Sequence, residues 1–175
     1  MKKPLICLHS LLHGSIFLVL LLLSACKMSV SLTGGDIHPN AKTVSVATFV
    51  NNATLVNPTL SQDFTTALKD MIQRQTPLNI VNRSGDYTFE GEITAYTISP
   101  VAIQGNETAA MNRLSISVNV RFYNKFDQNK NFEQTFSRYV DYPSSQNFTS
   151  IESSLVAQIN EAITDDIFNK AFVNW

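Results

Sequence analysis

The chain has 175 residues, of which 44% are hydrophobic and 15% are charged, and its formal net charge is −1 at pH 7. This near-neutral balance provides no positive field for a polyanion, which argues against binding to DNA or RNA. Two cysteines and three histidines leave little material for disulfides, metal ligands or a nucleophile–base pair.

The first predicted element is a lipoprotein signal peptide over residues 1–25. Two lysines form its charged start, and Ile16–Leu23 is an uninterrupted apolar segment. This segment is shorter than the ~20 residues that a transmembrane helix needs. Because Leu23-Ser24-Ala25-Cys26 has the form of a lipobox, we expect cleavage before Cys26 and acylation of its thiol, which would make the membrane anchor effectively permanent. The alternative is a transmembrane anchor with an incidental cysteine.

Cleavage before Cys26 would leave 150 residues, enough for one domain with a real core. The basic residues would fall from 13 to 11, against 14 acidic ones. His38 would be the single histidine, and its place beside Pro39 indicates a linker. We therefore predict a protein that is not an enzyme, without a metal site or a cofactor. Glu90 and Glu92 could form a glycosidase-like carboxylate pair, but alternating charge on a strand is more typical of a solvated face.

The first half of the mature chain predicts a tether, a strand, a helix and a short strand. Small and polar residues indicate a flexible tether over residues 26–40, before a single domain over residues 41–175. Alternating valines predict a strand over Thr43–Val50. Asn57 is the expected N-cap of a helix with Pro58 as its first residue, ended by Thr76-Pro77. A short strand over Leu78–Val81 and a turn over Arg83–Asp86 should follow.

The second half predicts three longer strands. The first, Tyr87–Ile98, should place Tyr87, Phe89, Ile93 and Ala95 on the core side and end at Pro100. The second has the clearest alternation in the chain, with Leu114, Ile116, Val118, Val120 and Phe122 on one face. Asp127–Lys130 predicts a hairpin turn into the third strand, Asn131–Tyr142.

The third strand and the last helix complete the domain. Gln134 and Arg138 share the core-facing side of the strand with Phe132 and Phe136, which leaves either a bulge or a partly open core. Thr149 and Glu152 have the spacing of a capping box, which predicts a helix that runs to about Ala171.

This order of elements predicts an α+β fold, a two-layer sandwich in which two helices pack on one face of a four- to five-stranded, mostly antiparallel sheet. Two helices cover only one face, so the other face stays uncovered. Its side chains are hydroxyls, amides and mixed charges: Thr88, Glu90, Glu92, Thr94, Arg113, Ser115, Ser117, Asn119, Arg121, Glu133, Thr135 and Ser137. The residues alone leave two interpretations open, which are solvent or a polar partner surface such as the interior of a membrane β-barrel.

Five stretches of the domain carry a family resemblance. They are Leu55–Pro58 leading into Leu60–Gln62, Phe89–Thr94, Ala102–Leu114, Asn131–Tyr139, and Asp166–Lys170 with Val173–Trp175. In this order and spacing they resemble LptE, the lipopolysaccharide-assembly lipoprotein family, as it occurs in Bacteroidetes. The resemblance spans nearly the whole mature domain, and none of its motifs is catalytic.

The resemblance implies an outer-membrane lipoprotein that faces the periplasm, plugs the lumen of an LptD-like β-barrel in a 1:1 complex and assists insertion of lipopolysaccharide into the outer leaflet. Of the family's functional residues, only the lipidated Cys26 transfers to this sequence. Lys27-Met28-Ser29 lacks the acidic cluster associated with surface export, which favours a periplasm-facing anchor.

Basic residues of the domain are candidate contacts for lipopolysaccharide. Phosphorylated lipid A would be bound by lysine or arginine through charge-assisted hydrogen bonds. The candidates on the strands and the hairpin are Arg113, Arg121, Lys125, Lys130 and Arg138. The alternative is that each of them is a solvated surface charge.

Two other classes of lipoprotein remain open. Activators of cell-wall synthases such as LpoB, and curli-pore lipoproteins, also begin with a valine-rich strand, an asparagine and a helix, although the hairpin region and the closing Asn-Trp fit LptE better. A lipid-anchored glycan-binding module is the third possibility, with Tyr96, Tyr139 or Trp175 as aromatic platforms.

Overall fold

The computed structural model describes residues 36–55, 57–101 and 110–173. The predicted signal peptide, Cys26, most of the tether, the centre of the connection after Val101 and the closing Asn174-Trp175 lie outside these residues. Within the described part of the chain, no helix is long and apolar enough to cross a membrane.

The described strands form one mixed sheet. They are β1 (Thr43–Val46), β2 (Val50–Asn51), β3 (Asn79–Val81), β4 (Tyr87–Val101), β5 (Met111–Asn124) and β6 (Phe132–Pro143). Their order is β3-β1-β4-β5-β6, with β2 also paired to β4. The long strands β4, β5 and β6 are antiparallel, whereas the short pairs made by β1 and β2 are parallel. The predicted α+β fold is confirmed, and the parallel pairs arise because a helix crosses over between β2 and β3.

The strand predicted over Thr43–Val50 is interrupted. β1 ends at Val46, and β2 contains only Val50 and Asn51. Between them Phe49 is fully buried, and its backbone N–H donates to Oγ1 of Thr65 at 3.1 Å. The chain leaves the ladder here because Phe49 inserts into the core and its amide finds a partner on a helix.

β4 differs from its prediction in two places. It continues through Pro100 to Val101, so the predicted end was wrong. Beyond Ile93 the described strands leave one edge of β4 unpaired, and there a proline removes no ladder hydrogen bond. A bulge between Ile93 and Ala95 shifts the register, so that Tyr96 rather than Ala95 is buried.

Two helices, α1 (Leu60–Gln75) and α2 (Phe148–Phe172), cover one face of the sheet. α1 begins at Leu60 rather than Pro58, but Oδ1 of Asn57 still accepts from the backbone N–H of Leu60 at 3.1 Å. The predicted capping box of α2 was wrong. Its N-cap is Asn147, whose Oδ1 accepts from the N–H of Thr149 at 3.0 Å.

Glu152 has a tertiary role in place of the capping box. Its Oε1 accepts from the hydroxyl of Tyr96 at 2.6 Å and from Nδ2 of Asn57 at 2.7 Å. These bonds join β4, the loop before α1 and the second turn of α2. Burial raises the pKa of Tyr96, which therefore remains a donor to the carboxylate.

The core lies between the helices and β4 to β6. Leu155, Ile159, Ile163 and Ile167 recur every four residues along α2 and are buried. Phe122 of β5 is fully buried, with ring centroids 4.8 Å from Phe89, 5.3 Å from Phe132 and 5.9 Å from Phe172. Gly91 of β4 lies against the ring of Phe49. A Cβ at this position would lie 2.7 Å from that ring and 2.0 Å from the carbonyl oxygen of Asn119, so glycine is required.

β6 is an edge strand with a partly open core side. Its pairing with β5 runs without a register shift from Phe132 to Pro143, so the alternative of a bulge is excluded. Gln134 and Arg138 are exposed although they share a side with the buried Phe136. Arg138 reaches across to α2, where its Nε lies 2.6 Å from Oδ2 of Asp166.

Candidate functional site

The face of β4, β5 and β6 that points away from the helices is the candidate site, and we call it the open face. Antiparallel register arranges its side chains in cross-strand rows. From one end to the other the rows are Thr88 with Tyr123, then Glu90, Arg121 and Glu133, then Glu92, Asn119 and Thr135, then Ala95, Ser117 and Ser137, then Thr97, Ser115 and Tyr139, and finally Ser99, Arg113 and Asp141.

Two ion pairs lie towards the two ends of the open face, whereas Glu92 and Glu133 of the same face have no ion-pair partner among the described residues. At one end Nε of Arg121 lies 3.3 Å from Oε1 of Glu90. At the other, Arg113 donates to both carboxylate oxygens of Asp141, at 2.7 and 2.8 Å, and its guanidinium lies 3.6 Å from the centre of the Tyr139 ring. The hydrogen bonds to Arg113 lower the pKa of Asp141, and those to Asp141 raise the pKa of Arg113.

Between the ion pairs lies a band of uncharged polar groups, the hydroxyl band, formed by Thr94, Thr97, Ser115, Ser117, Asn119, Thr135 and Ser137. Ser117 and Ser137 bond through their hydroxyls at 3.0 Å. The neighbouring Glu92 accepts from Nδ2 of Asn52 at 2.6 Å. Oδ1 of Asn119 is buried and has no hydrogen-bond partner among the described residues. The band offers donors and acceptors without net charge.

The five lipopolysaccharide-contact candidates do not form one cluster. Arg113 and Arg121 lie eight residues apart on β5, about 26 Å at 3.3 Å per residue. Lys125 and Lys130 lie at the hairpin, and Arg138 faces α2. Each one has an acidic partner: Asp141 for Arg113, Glu90 for Arg121, Asp86 for Lys125 at 3.4 Å, Asp36 for Lys130 and Asp166 for Arg138. Any phosphate would have to compete with a carboxylate already in place.

Asp86 is a polar residue whose role the sequence did not predict. Its Oδ2 accepts from the backbone N–H groups of Lys42 and Thr43 at 3.0 and 3.2 Å and from the Thr43 hydroxyl at 2.9 Å. These bonds hold the pKa of Asp86 at about 2, well below its ordinary value. The one sequence feature that could have indicated this role is the position of Asp86, directly after Gly85 and directly before β4. Among the described residues no group of His, Cys, Asp and Glu could hold a metal ion.

Comparison with known families gives one match that covers most of the domain. The model of the family LptE, described as lipopolysaccharide-assembly, matches residues 41–171. A search of curated proteins found no match.

Several solved structures are similar to this chain. A putative neuraminyllactose-binding hemagglutinin homolog from Helicobacter pylori has 8% identity and a TM-score of 0.50, covering 79% of this chain and 87% of its own. A minor lipoprotein from Acinetobacter baumannii has 15% identity and a TM-score of 0.49, covering 74% and 91%. The rare lipoprotein B from Shewanella oneidensis has 11% identity and a TM-score of 0.49, covering 72% and 90%. The likeness to the H. pylori structure concerns the fold alone.

Proposed function

This chain belongs to the LptE lipopolysaccharide-assembly family, and on that premise we propose that it is an outer-membrane lipoprotein, anchored through Cys26 and facing the periplasm, whose domain plugs an LptD-like β-barrel. The complex would have 1:1 stoichiometry and would assist insertion of lipopolysaccharide into the outer leaflet. The observation that carries this proposal is the family match over residues 41–171.

The chemistry of the open face supports a role as a plug. The interior of a membrane β-barrel is polar, so a surface that enters it needs hydrogen-bonding groups rather than an apolar patch. Uncompensated charges are costly to bury, and the two arginines of the open face, Arg113 and Arg121, are each paired with a carboxylate. Glu92 instead accepts a hydrogen bond from Asn52. The hydroxyl band between them supplies neutral donors and acceptors, and we propose it as the central contact with the barrel wall.

Co-purification tests the partner. The tagged lipoprotein would be extracted in detergent, and its stoichiometric partners would be identified by mass spectrometry, with Cys26→Ala as the control for anchoring. We expect one LptD-like barrel at a near-equal ratio. Recovery of a cell-wall synthase instead, or of no stoichiometric partner, would refute the plug and favour the activator or the glycan-binding module.

A matched pair of variants tests which face meets the barrel. Ser137→Arg places a bulky charge in the hydroxyl band, whereas Ser154→Arg places the same side chain on the exposed side of α2. We expect Ser137→Arg to abolish recovery of the barrel and Ser154→Arg to leave it unchanged. Equal recovery with both variants would contradict the assignment of the open face.

The ion pair of Arg113 allows a two-sided test of lipopolysaccharide contact. If Arg113 binds a lipid A phosphate, Arg113→Gln should weaken photo-crosslinking to lipopolysaccharide, whereas Asp141→Asn should strengthen it by releasing the guanidinium. Arg121→Gln and Glu90→Gln provide the same comparison at the other end of the open face. No response of crosslinking to either member of a pair would exclude that arginine as a contact.

A further inference from the structure

We call the end of the domain that adjoins the predicted tether the tether pole. The pole consists of residues 36–42, the turn 82–86, the hairpin 125–131 and the last turn of α2, residues 169–172. The backbone N–H of Asp36 donates to the carbonyl of Phe172, and the N–H of His38 donates to the Tyr87 hydroxyl at 2.9 Å. Asp36 is ten residue steps after Cys26, which limits the distance between them to about 35 Å.

Charge is distributed unequally between the tether pole and the rest of the domain. The pole carries Lys42, Arg83, Lys125, Lys130 and Lys170 against Asp36, Asp86 and Asp127. The remainder of the described chain carries Lys69, Arg74, Arg113, Arg121 and Arg138 against ten acidic residues, which are Asp63, Asp70, Glu90, Glu92, Glu133, Asp141, Glu152, Glu161, Asp165 and Asp166. An anionic surface would therefore attract the pole and repel the rest.

Two of the pole's basic side chains are available for such a surface. Lys42 and Arg83 are exposed, and no carboxylate of the described residues lies within ion-pair distance of either. Lys125 remains mostly exposed beside Asp86. These cations lie on the side of the domain from which the tether leaves.

The hairpin adds an exposed aromatic ring to the pole. Phe126 is 37% exposed, and its ring stacks on His38 with centroids 4.2 Å apart. Lys125 precedes it and Lys130 follows within the same turn. An aromatic ring flanked by lysines is the combination that settles at the boundary between headgroups and acyl chains.

We propose that the tether pole of the free lipoprotein rests on the anionic phospholipid headgroups of the membrane in which Cys26 is anchored. This orientation rests on the lipid anchor of the proposed function, but not on the barrel partner. Lys42, Arg83 and Lys125 contact phosphate groups, and Phe126 enters the interface. The acidic remainder of the domain is directed away from the membrane.

Vesicle partitioning measures the contact without the anchor. The chain from residue 26 with Cys26→Ser would be sedimented with vesicles of phosphatidylglycerol or of phosphatidylcholine; Thr33–Trp175 form a compact unit that does not include the leader. We expect partitioning to phosphatidylglycerol vesicles that falls with added salt, and little to phosphatidylcholine. Each removed cation should weaken partitioning about fivefold, so Lys42→Ala with Arg83→Ala should lower it more than tenfold.

The matched control is Lys69→Ala, which removes a cation from α1 outside the tether pole, and it should change partitioning less than twofold. Absent or salt-independent partitioning, equal losses with the pole and control variants, or a requirement for lipopolysaccharide in the vesicle would overturn the proposal.

A second measurement uses the anchored protein. Cys7 and Cys26 are the only cysteines in the sequence, so a new cysteine in the mature lipoprotein can be labelled selectively. A fluorophore at Asn129→Cys, on the pole, should transfer energy to headgroup-labelled lipids more efficiently than one at Ser145→Cys, at the other end of the sheet. Equal transfer from the two positions would refute the orientation. If mass spectrometry finds no acyl groups on Cys26, the proposed orientation is refuted because its anchor is missing. Failure to recover a barrel would refute only the proposed plug function.

Discussion

The two faces of β5 show how differently neighbouring side chains can contribute to one protein. Phe122 points towards the helices and is fully buried among aromatic rings, whereas Tyr123 points the other way and is 44% exposed. Apolar burial holds the covered face together, while the open face consists of hydroxyls, amides and charged groups, with two ion pairs among them. Stability therefore resides on one face, which leaves the other face free for a partner.

Truncation of neighbouring aromatic residues should give the largest contrast between the faces. Phe122→Ala creates a cavity in the centre of the core and should lower the free energy of unfolding by about 3–5 kcal/mol. Tyr123→Ala on the open face should lower it by less than about 1 kcal/mol. Urea denaturation of both variants measures the difference, and similar losses would contradict the division between the faces.

The second prediction concerns how much a polar side chain at the end of the sheet, Asp86, contributes to the free energy of unfolding. Its pKa is about 2 in the folded state against about 3.9 in an unfolded chain, so its contribution is present above pH ~4 and is lost as the pH falls towards 2. Asp86→Asn should cost about 2 kcal/mol at neutral pH. The variant should also lose less stability than the wild type between pH 4 and pH 2. A parallel decline of both proteins with pH would exclude this role.

The Tyr96–Glu152 bond sharpens the comparison, because it is a polar contact on the covered side. Tyr96→Phe removes a hydroxyl that donates to a carboxylate at 2.6 Å and should cost about 1–2 kcal/mol. Tyr139→Phe, on the open face, is the matched control and should have little effect. Thermal unfolding of both variants measures the difference. Equal shifts in Tm would contradict the expectation that the buried Tyr96 hydroxyl contributes more stability than the exposed Tyr139 hydroxyl.

The smallest effect is expected within the hydroxyl band. Ser117→Ala together with Ser137→Ala removes their mutual hydrogen bond, yet the change in unfolding free energy should stay within about 0.5 kcal/mol because water replaces the bond. Val118→Ala, one residue away and pointing into the core, should be clearly more damaging. A large loss from the serine pair would mean that the open face contributes to stability.

Alternation along the strands was predictable because the backbone reverses side-chain direction at every residue. It correctly divided β5 between the two faces, and the helical spacing correctly located α1 and α2. The bulge after Ile93 could not be predicted, since it depends on the partner strand and exchanges Ala95 for Tyr96 in the core. The capping box failed for a related reason, because Glu152 has the spacing of a local cap but bonds to two distant residues.

The candidate site was predictable in composition but not in geometry. The sequence identified the polar residues of the open face, yet the pairing of Arg113 with Asp141 requires the register of β5 and β6. Alternation correctly placed Arg138 on the helix-facing side of β6, but its ion pair with Asp166 depends on how α2 packs against that strand. Neither partner lies near its arginine in the chain, so spacing could not reveal the pairs.

By itself, the sequence determined the α+β class, the apolar faces of the long strands and helices, and the lipobox with its predicted anchor at Cys26, because these depend on local periodicity and short motifs. Only the tertiary structure decided the parallel addition of β1, β2 and β3, the ion pairs of Arg113 and Arg121 on the open face, and the collection of basic residues at the tether pole. Those features join residues that are distant in the chain, and their positions follow from how the core packs.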